Sequence, residues 1–343
     1  MTTTTPTRPA GGGPVPEQHR SVLTRVQHLL HAQATIGPAV VLLLAVIVFA
    51  LLSDRFLTPG NISLVLQQVA VVGTLAVGQT IVILTAGIDL SCGAIMVLTS
   101  VVMAKVAAKT GLPGLPALLL GFAVGTLCGL LNGVLVTRLK LPPFIVTLGT
   151  LNVFFALNLW YSGSATIRGT DMPDLLLWTG QTFTVGGTRI TYGSIMMVVL
   201  VAAMAFVLKN TAWGRHVYAT GDDAEAARLS GIRTTRVLLS VYAVAGLVYA
   251  MAAWTLIGRI ASASPQAGQT DNLDSITAVV IGGTSLFGGR GAIVGSLIGA
   301  LIVGVFRNGL ALAGVDVLWQ TMAVGVLIIV AVSLDQWIRK VKS

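Results

Sequence analysis

Charge is scarce in this 343-residue chain: Asp, Glu, Lys and Arg together make up 10% of it, against roughly 25% in an ordinary soluble domain. A soluble globule of this size could not cover its surface with so few ionic groups. Aromatic residues are also sparse, at 6%, whereas 55% of the chain is hydrophobic and 39 residues are glycine. Helices packed in lipid depend on such small residues for close approach. These shortages define an integral membrane protein. Histidine and cysteine are rarer still. His19, His28 and His31 stand in the polar amino-terminal stretch and His216 beside a basic segment, which excludes a buried histidine-based metal or proton-relay site. Cys92 and Cys128 lie in or beside apolar runs and read as small core hydrophobes rather than a disulfide. Acidic residues number 12 against 21 basic ones, a net charge of +9. In a soluble protein that excess would raise nucleic-acid binding; its distribution argues otherwise.

Long apolar runs are what the chain has instead. Crossing about 30 Å of hydrocarbon takes about 20 apolar residues. Runs of that order, broken at charges, prolines and polar clusters, fall at 36–53, 62–85, 91–109, 115–137, 143–162, 191–208, 237–257, 273–288, 291–309 and 317–335. The third and eighth are the least sharply bounded. Gly87–Ser91 and the cluster Gly288, Gly289 and Gly291 read either as loops or as breaks inside the membrane, and eight spans is the alternative to ten. Residues 1–35 are rich in Thr, Gly and Pro and then polar. No apolar core with a small-residue cleavage site precedes the first run, so they are expected to form a disordered cytosolic leader. The expected fold class is an all-α integral membrane protein of about ten transmembrane helices. Its transmembrane domain covers 36–337, with a cytosolic loop at 210–236 and a cytosolic tail at 338–343.

Lys and Arg near the spans set orientation. With the amino terminus inside, 14 of the 21 basic residues fall on the cytosolic side, among them Arg138, Lys140, Arg228, Arg233, Arg236 and Arg290. Arg55, Lys105, Lys109, Arg168, Arg189, Arg259 and Arg307 fall outside. Both termini are therefore expected in the cytosol. Trp160, Trp254 and Trp319 then stand at outer span ends and Trp337 at an inner one, where amphipathic rings settle. The basic excess marks a membrane face and implies no nucleic-acid partner.

A weak internal symmetry runs through the spans. Asn132-Gly133 closes the fourth, with Gly149 in the fifth; Asn308-Gly309 closes the ninth, with Gly325 at the same distance in the tenth. If spans two to five correspond to spans seven to ten, the halves have opposite orientation, as in an inverted-topology repeat that holds a substrate near the bilayer midplane. Chance matches in a glycine-rich chain are the competing account.

The polar stretch from Thr211 to Arg233, between the sixth and seventh spans, contains its own helix signals. Asp222 can cap, and Glu225 three residues later can reach back as in a capping box. Ala224, Ala226, Ala227 and Leu229 favour helix, and Gly231 supplies the stop. A helix of two to three turns is marginal in water and must be held by packing, against this chain's own loops or in a protein groove.

Glu225-Ala226-Ala227 followed by Gly231 resembles the EAA-type signature by which permeases of ATP-binding-cassette importers engage their ATPase subunits. The run from Gly214 to Ile232 is similar to the matching loop of the bacterial ribose, xylose and related monosaccharide permeases. So are Gly87-Ile88-Asp89-Leu90-Ser91, the stretch from Leu141 to Gly149, and the stretch from Ile281 to Gly289. The resemblance covers about 36–337 and is specific when these stretches are taken together. It implies a dimeric permease core, from two copies or two paralogues, in the bacterial cytoplasmic (inner, plasma) membrane. It further implies a cytosolic ATPase with two nucleotide-binding domains, which uses ATP and Mg, and an extracytoplasmic sugar-binding protein. It makes the helix over Asp222, Asp223, Ala224, Glu225, Ala226, Ala227, Arg228, Leu229 and Ser230, stopped at Gly231, the coupling helix. The chain has no Gly-x-x-x-x-Gly-Lys-Ser/Thr phosphate loop, so hydrolysis would fall to the partner. The permease itself is expected to be no enzyme and to bind no cofactor or metal.

A sugar needs hydrogen-bonding groups along its route. Gln79, Asp89, Ser91, Thr147, Asn152 and Asn158 are the candidates, with capping of the third span by Asp89 and interhelical hydrogen bonds as the structural alternatives. Pro142-Pro143 suits the first turn of the fifth span. Asp271, Asn272 and Asp274 are expected before the eighth span on the outer side, either contacting the binding protein or in a solvated loop. Two other classes compete. An ion-coupled secondary carrier of a small polar solute needs ionisable groups in the membrane, and Asp89 alone is expected there. A membrane enzyme would need facing His, Cys or carboxylate groups, which the spacing does not supply.

Overall fold

The computed structural model describes residues 35–326 and Ile329. Most of the expected leader, the tail at 338–343, Trp337 and the end of the tenth run lie outside the described residues. In chain order the helices are α1 (Ile36–Leu52), α2 (Pro59–Leu84), α3 (Cys92–Thr110), α4 (Gly114–Arg138) and α5 (Pro143–Ser162). After a loop come α6 (Tyr192–Asn210), α7 (Ala212–Asp222), α8 (Ala224–Leu229) and α9 (Thr234–Ile260), followed by α10 (Asp271–Ile281), α11 (Ile293–Leu312) and α12 (Val317–Val326). The helices α2, α3, α4, α5, α6, α9 and α11 are long and apolar enough to cross a membrane, and α1 and α12 are shorter apolar helices. The expected all-α class needs one small amendment. Strands β1 (Ile167–Arg168) and β4 (Ser262–Ala263) pair antiparallel, and β2 (Thr182–Val185) and β3 (Thr188–Thr191) form a hairpin.

The sequence boundaries hold best where Pro or Gly punctuates the run. Pro143 opens α5 and Gly163, at φ +66°, ends it. The eighth run, expected over 273–288, is corrected: α10 spans 11 residues and stops at Ile281. Gly283 at φ +86° turns the chain there, a conformation that L side chains resist, and 282–292 is a loop.

Two breaks organise the molecule. The segment 85–91 separates α2 from α3, and 261–270 separates α9 from α10. The helix starts beyond the breaks meet: the Asn272 amide donates to the Leu90 carbonyl at 3.2 Å, and Cys92 Sγ lies 3.6 Å from Ser275 Oγ. The long helices before the breaks run antiparallel. The end of α2 is tied through Leu84 to Gly289, whereas on the same side Trp213 bonds to Ser240 near the start of α9. So α3 leaves the meeting point away from the α7–α8 side, and α10 leaves it toward that side. Long helix, break and a further helix thus occur in opposite sense in 59–110 and 234–281. Gly149 and Gly325 have open space around the position of an added Cβ, and Asn132 and Asn308 are both buried.

The core lies along α2, α3, α4 and α9. In the most apolar window of α2, 78% is buried, against 28% for α5, so α2 is central and α5 peripheral. Tyr242, Tyr249, Leu75, Ile81 and Ile95 are among the largest fully buried side chains. The α4–α9 contact is made backbone to backbone. A methyl group on Gly129 would run into the Tyr242 carbonyl, and one on Gly125 would come within 2.6 Å of the Gly246 carbonyl. This is the small-xxx-small packing that substitutes for a hydrophobic driving force inside a membrane.

Gly129→Val should therefore lower stability by about 1–3 kcal/mol through overpacking, seen as an earlier thermal transition in detergent. Gly149→Ala, at an open helical site, should unfold at or slightly above the wild-type temperature.

Candidate functional site

Inside a membrane, an unpaired backbone group has no water to turn to. The break at 85–91 must therefore find partners in side chains, and the polar residues picked from the sequence supply them. Gly87 N–H donates to the Val82 carbonyl at 3.1 Å. Thr147 Oγ1 donates to the Ile88 carbonyl at 2.9 Å. With its amide oriented so that donors meet acceptors, the Gln79 side chain acts as a substitute peptide: its nitrogen donates to the Asp89 carbonyl at 3.1 Å, and its oxygen accepts from the Asp89 amide at 3.2 Å. The same nitrogen is 3.2 Å from Tyr249 Oη. Asp89 Oδ1 accepts from the Ser91 amide at 2.8 Å and from the Ser91 hydroxyl at 2.6 Å, which positions it just ahead of α3. Asn132 in turn donates to Ser91 Oγ at 2.8 Å. Gln79, Asp89, Ser91, Asn132 and Thr147 are all buried.

The second break is served in the same way. Asn158 donates to the Pro265 carbonyl at 2.7 Å. Asp271, Asn272 and Asp274, expected in an outer loop, stand instead in the first turn of α10, and that placement is corrected. Asp274 is 1% exposed and pairs with Arg307 of α11 at 2.7 Å. Asp271 and Asn272 are half-buried at the start of this helix, and only Asp274 is taken fully out of solvent. Asp89 is thus not the sole acidic group of the interior. Asn152 parts company with the other candidates. It is exposed on α5 and bonds only to the Leu148 carbonyl of its own helix, at 3.0 Å.

Several buried acceptors at the breaks have no protein partner: Asp89 Oδ2, Asn132 Oδ1, Asn158 Oδ1 and Asn272 Oδ1, with Tyr242 Oη beside them. Such a set receives hydroxyl donors. No group of His, Cys, Asp and Glu suited to a metal occurs among the described residues.

On the α7–α8 side the sequence-based helix is redrawn. Thr211 caps α7 through the Gly214 amide at 3.2 Å, so Asp222 ends a helix instead of starting one. The cap of α8 is Asp223, with extended backbone (φ −152°, ψ 104°), and its Oδ1 accepts from Glu225 and Ala226 amides, each at 2.9 Å. Glu225 does not reach back. It pairs with Arg228 at 2.6 Å, and that hydrogen bond and charge push the Arg228 guanidinium further up. Gly231 stops the helix at φ +85°, as expected, with the Ile232 amide bonded to the Ala227 carbonyl at 3.0 Å. Of the α8 residues Ala227 is buried, while Ala224, Glu225, Ala226, Arg228 and Leu229 are exposed, Leu229 at 78%.

This small module is welded to the membrane breaks. A methyl on Gly221 would strike the Leu84 carbonyl at the end of α2, and Leu84 also accepts from the Gly289 amide at 3.0 Å. Tyr218 donates to the Gly291 carbonyl at 2.9 Å, and burial pushes its phenol up. Leu84 is joined to Asp89 by four residues of chain, and 282–291 follows α10 directly. Sequence reasoning missed the second break, Arg307 and Tyr249. Pro265 and Gly268 were the available signal for the break; the pairing of Arg307 with Asp274 had none.

An exposed polar module, joined without slack to two interrupted helices, defines a polytopic membrane transport component. The chain belongs to the family described as branched-chain amino acid transport system / permease component, whose model matches residues 61–332. It is 52% identical over 326 residues to the fructose import permease protein FrcC of Rhizobium meliloti, covering 94% of this chain and 91% of that one. It is 43% identical to the ribose import permease protein RbsC of Bacillus subtilis, over 88% of this chain and 92% of that one. With the ribose import permease protein RbsC of Escherichia coli K12 it shares 38% identity, over 86% and 92% of the two chains.

Gln79→Leu should leave the Asp89 amide and carbonyl unpaired, at a cost of about 2 kcal/mol or more, measurable as a lowered unfolding temperature. Asn152→Ala should stay within about 0.5 kcal/mol of wild type. Equal stability of the two variants would contradict the assignment of Gln79 to the break.

Proposed function

We propose that this chain is the membrane permease of an ATP-driven monosaccharide importer of the bacterial cytoplasmic membrane. The observation that carries the reading is the rigid joint between the α7–α8 module and the two breaks. Relatives named as fructose and ribose import permeases over nearly their whole length support the substrate class. In this reading the chain crosses the membrane ten times, with both termini and α8 in the cytosol. Residues 1–35 form a leader, 36–337 the permease domain with its coupling loop at 210–236, and 338–343 a tail.

The coupling helix is α8, with Asp222 and Asp223 leading into it. A cytosolic ATPase with two nucleotide-binding domains receives its exposed face, Ala224, Glu225, Ala226, Arg228 and Leu229, and hydrolyses Mg-bound ATP. The permease contributes no covalent chemistry. A push on α8 passes through Gly221 to the Leu84 carbonyl and through Tyr218 to Gly291, and so reaches the end of α2 and the loop after α10 together. Displacement there loosens the network of Gln79, Ser91, Thr147 and Asn158 and presents the unpartnered acceptors at Asp89 and Asn272 to sugar hydroxyls. A neutral polyhydroxylated solute matches acceptors of this kind.

A second permease copy or paralogue covers the lightly buried face of α5, and Asn152 faces the route at that seam. Asp271, Asn272 and Asp274 lie behind the second break, so a sugar-binding protein outside acts on them through the 261–270 segment.

Uptake into vesicles holding permease, ATPase and binding protein should require ATP and survive collapse of the ion gradients. Uptake that persists without the ATPase and stops when the gradients collapse would establish an ion-coupled carrier instead. Asp223→Ala removes the α8 cap, costing about 1 kcal/mol locally. Together with Gly231→Val it should reduce sugar moved per ATP severalfold while the permease still elutes as a folded species.

A further inference from the structure

On the side of the molecule that carries α7 and α8, a cavity of about 600 Å³ opens between the end of α4, the end of α8 and the start of α9. Arg138, Arg228, Arg233, Arg236, Thr235 and Leu239 line it, and no carboxylate does. Arg228 is already engaged by Glu225. Among the described residues Arg138, Arg233 and Arg236 form no ion pair, and all three are exposed. The start of α9 adds to the positive field. This 27-residue helix has no side-chain cap and no acidic residue in its first turn, so its dipole favours an anion.

A second observation says what kind of anion. Leu127, Leu131 and Val134 of α4 are 62%, 44% and 42% exposed. Their spacing of four and three residues continues to Arg138 four residues on, which places all four on one helix face. An apolar rail that ends in guanidinium groups complements an acyl chain that ends in a phosphodiester. Leu139, 60% exposed, extends the apolar rim. A water-soluble acidic protein groove would match the arginines and leave the rail unexplained.

We propose that this cavity binds the headgroup of an anionic phospholipid of the facing leaflet. The phosphodiester is held by Arg138, Arg233 and Arg236, and one acyl chain lies along Leu127, Leu131 and Val134. Forked guanidinium donors suit phosphate oxygens, and basic pockets at the cytosolic ends of membrane helices are a recurring place for anionic lipid. Gly231 lines the same cavity, so a bound headgroup braces the end of α8. The inference rests on the proposed function only in assigning this leaflet to the cytosol.

The test uses the full-length permease alone, in detergent, so that its result is independent of whether ATP drives uptake. Binding of dioleoyl phosphatidylglycerol and of dioleoyl phosphatidylcholine is measured by native mass spectrometry. Wild type is compared with Arg138→Gln/Arg233→Gln/Arg236→Gln, with the matching triple Lys variant, and with Arg168→Gln/Arg189→Gln as a control. Phosphatidylglycerol should bind in preference to phosphatidylcholine. The triple Gln variant should lose at least about tenfold in that affinity, and the Lys and control variants should keep most of it. Arg236→Gln alone should weaken binding about fivefold, which keeps the test open if the triple variant fails to fold. Unchanged binding in the Gln variants, equal binding of the two lipids, or displacement by millimolar inorganic phosphate would overturn the proposal. So would retained lipid binding alongside lost association with the ATPase, which would give the arginines to an acidic protein surface.

Discussion

Where a helix is interrupted in the protein interior, the freed amides and carbonyls must find partners within the chain, and this constraint governs the interior here. The chain does it twice, at 85–91 and at 261–270. Gln79 pairs with both backbone groups of Asp89, Thr147 takes the Ile88 carbonyl and Asn158 the Pro265 carbonyl, and Asn272 links the breaks by reaching Leu90. Remove these and the helix starts at Cys92 and Asp271 lose the scaffold that lets them meet.

The same constraint explains how the polar candidates of the sequence can be both structural and functional. A group that holds a break shut is also a group that can exchange its partner for a solute hydroxyl when the break is displaced. In the proposed function, the unpartnered oxygens of Asp89, Asn132, Asn158 and Asn272 are the ones offered to a solute hydroxyl. The α7–α8 module meets α2 at its final carbonyl, so the two pack directly, with no loop between them.

Much of this was legible in the sequence, because hydrocarbon imposes long apolar runs and Pro or Gly marks their ends. The fifth run matched α5 residue for residue, and Gly231 was a correct helix stop. The cap falls one residue later than Asp222 because Thr211 starts a separate helix that uses up Asp222, and no local pattern marks that start. The segment 261–270 is rich in small polar residues that read as an outer loop. Within it only Ala263 and Pro265 are buried, and the bond from Asn158 of α5 to the Pro265 carbonyl is a contact that no local pattern encodes. Asp274 illustrates the consequence: it looks solvated in the sequence and is buried against Arg307 in the fold.

The glycine contact between α4 and α9 places a helix from the first half of the chain hard against one from the second, backbone against backbone. Bending along the α4–α9 line would drive backbone into backbone, so the compliant parts of the chain lie away from it, on lightly buried helices such as α5.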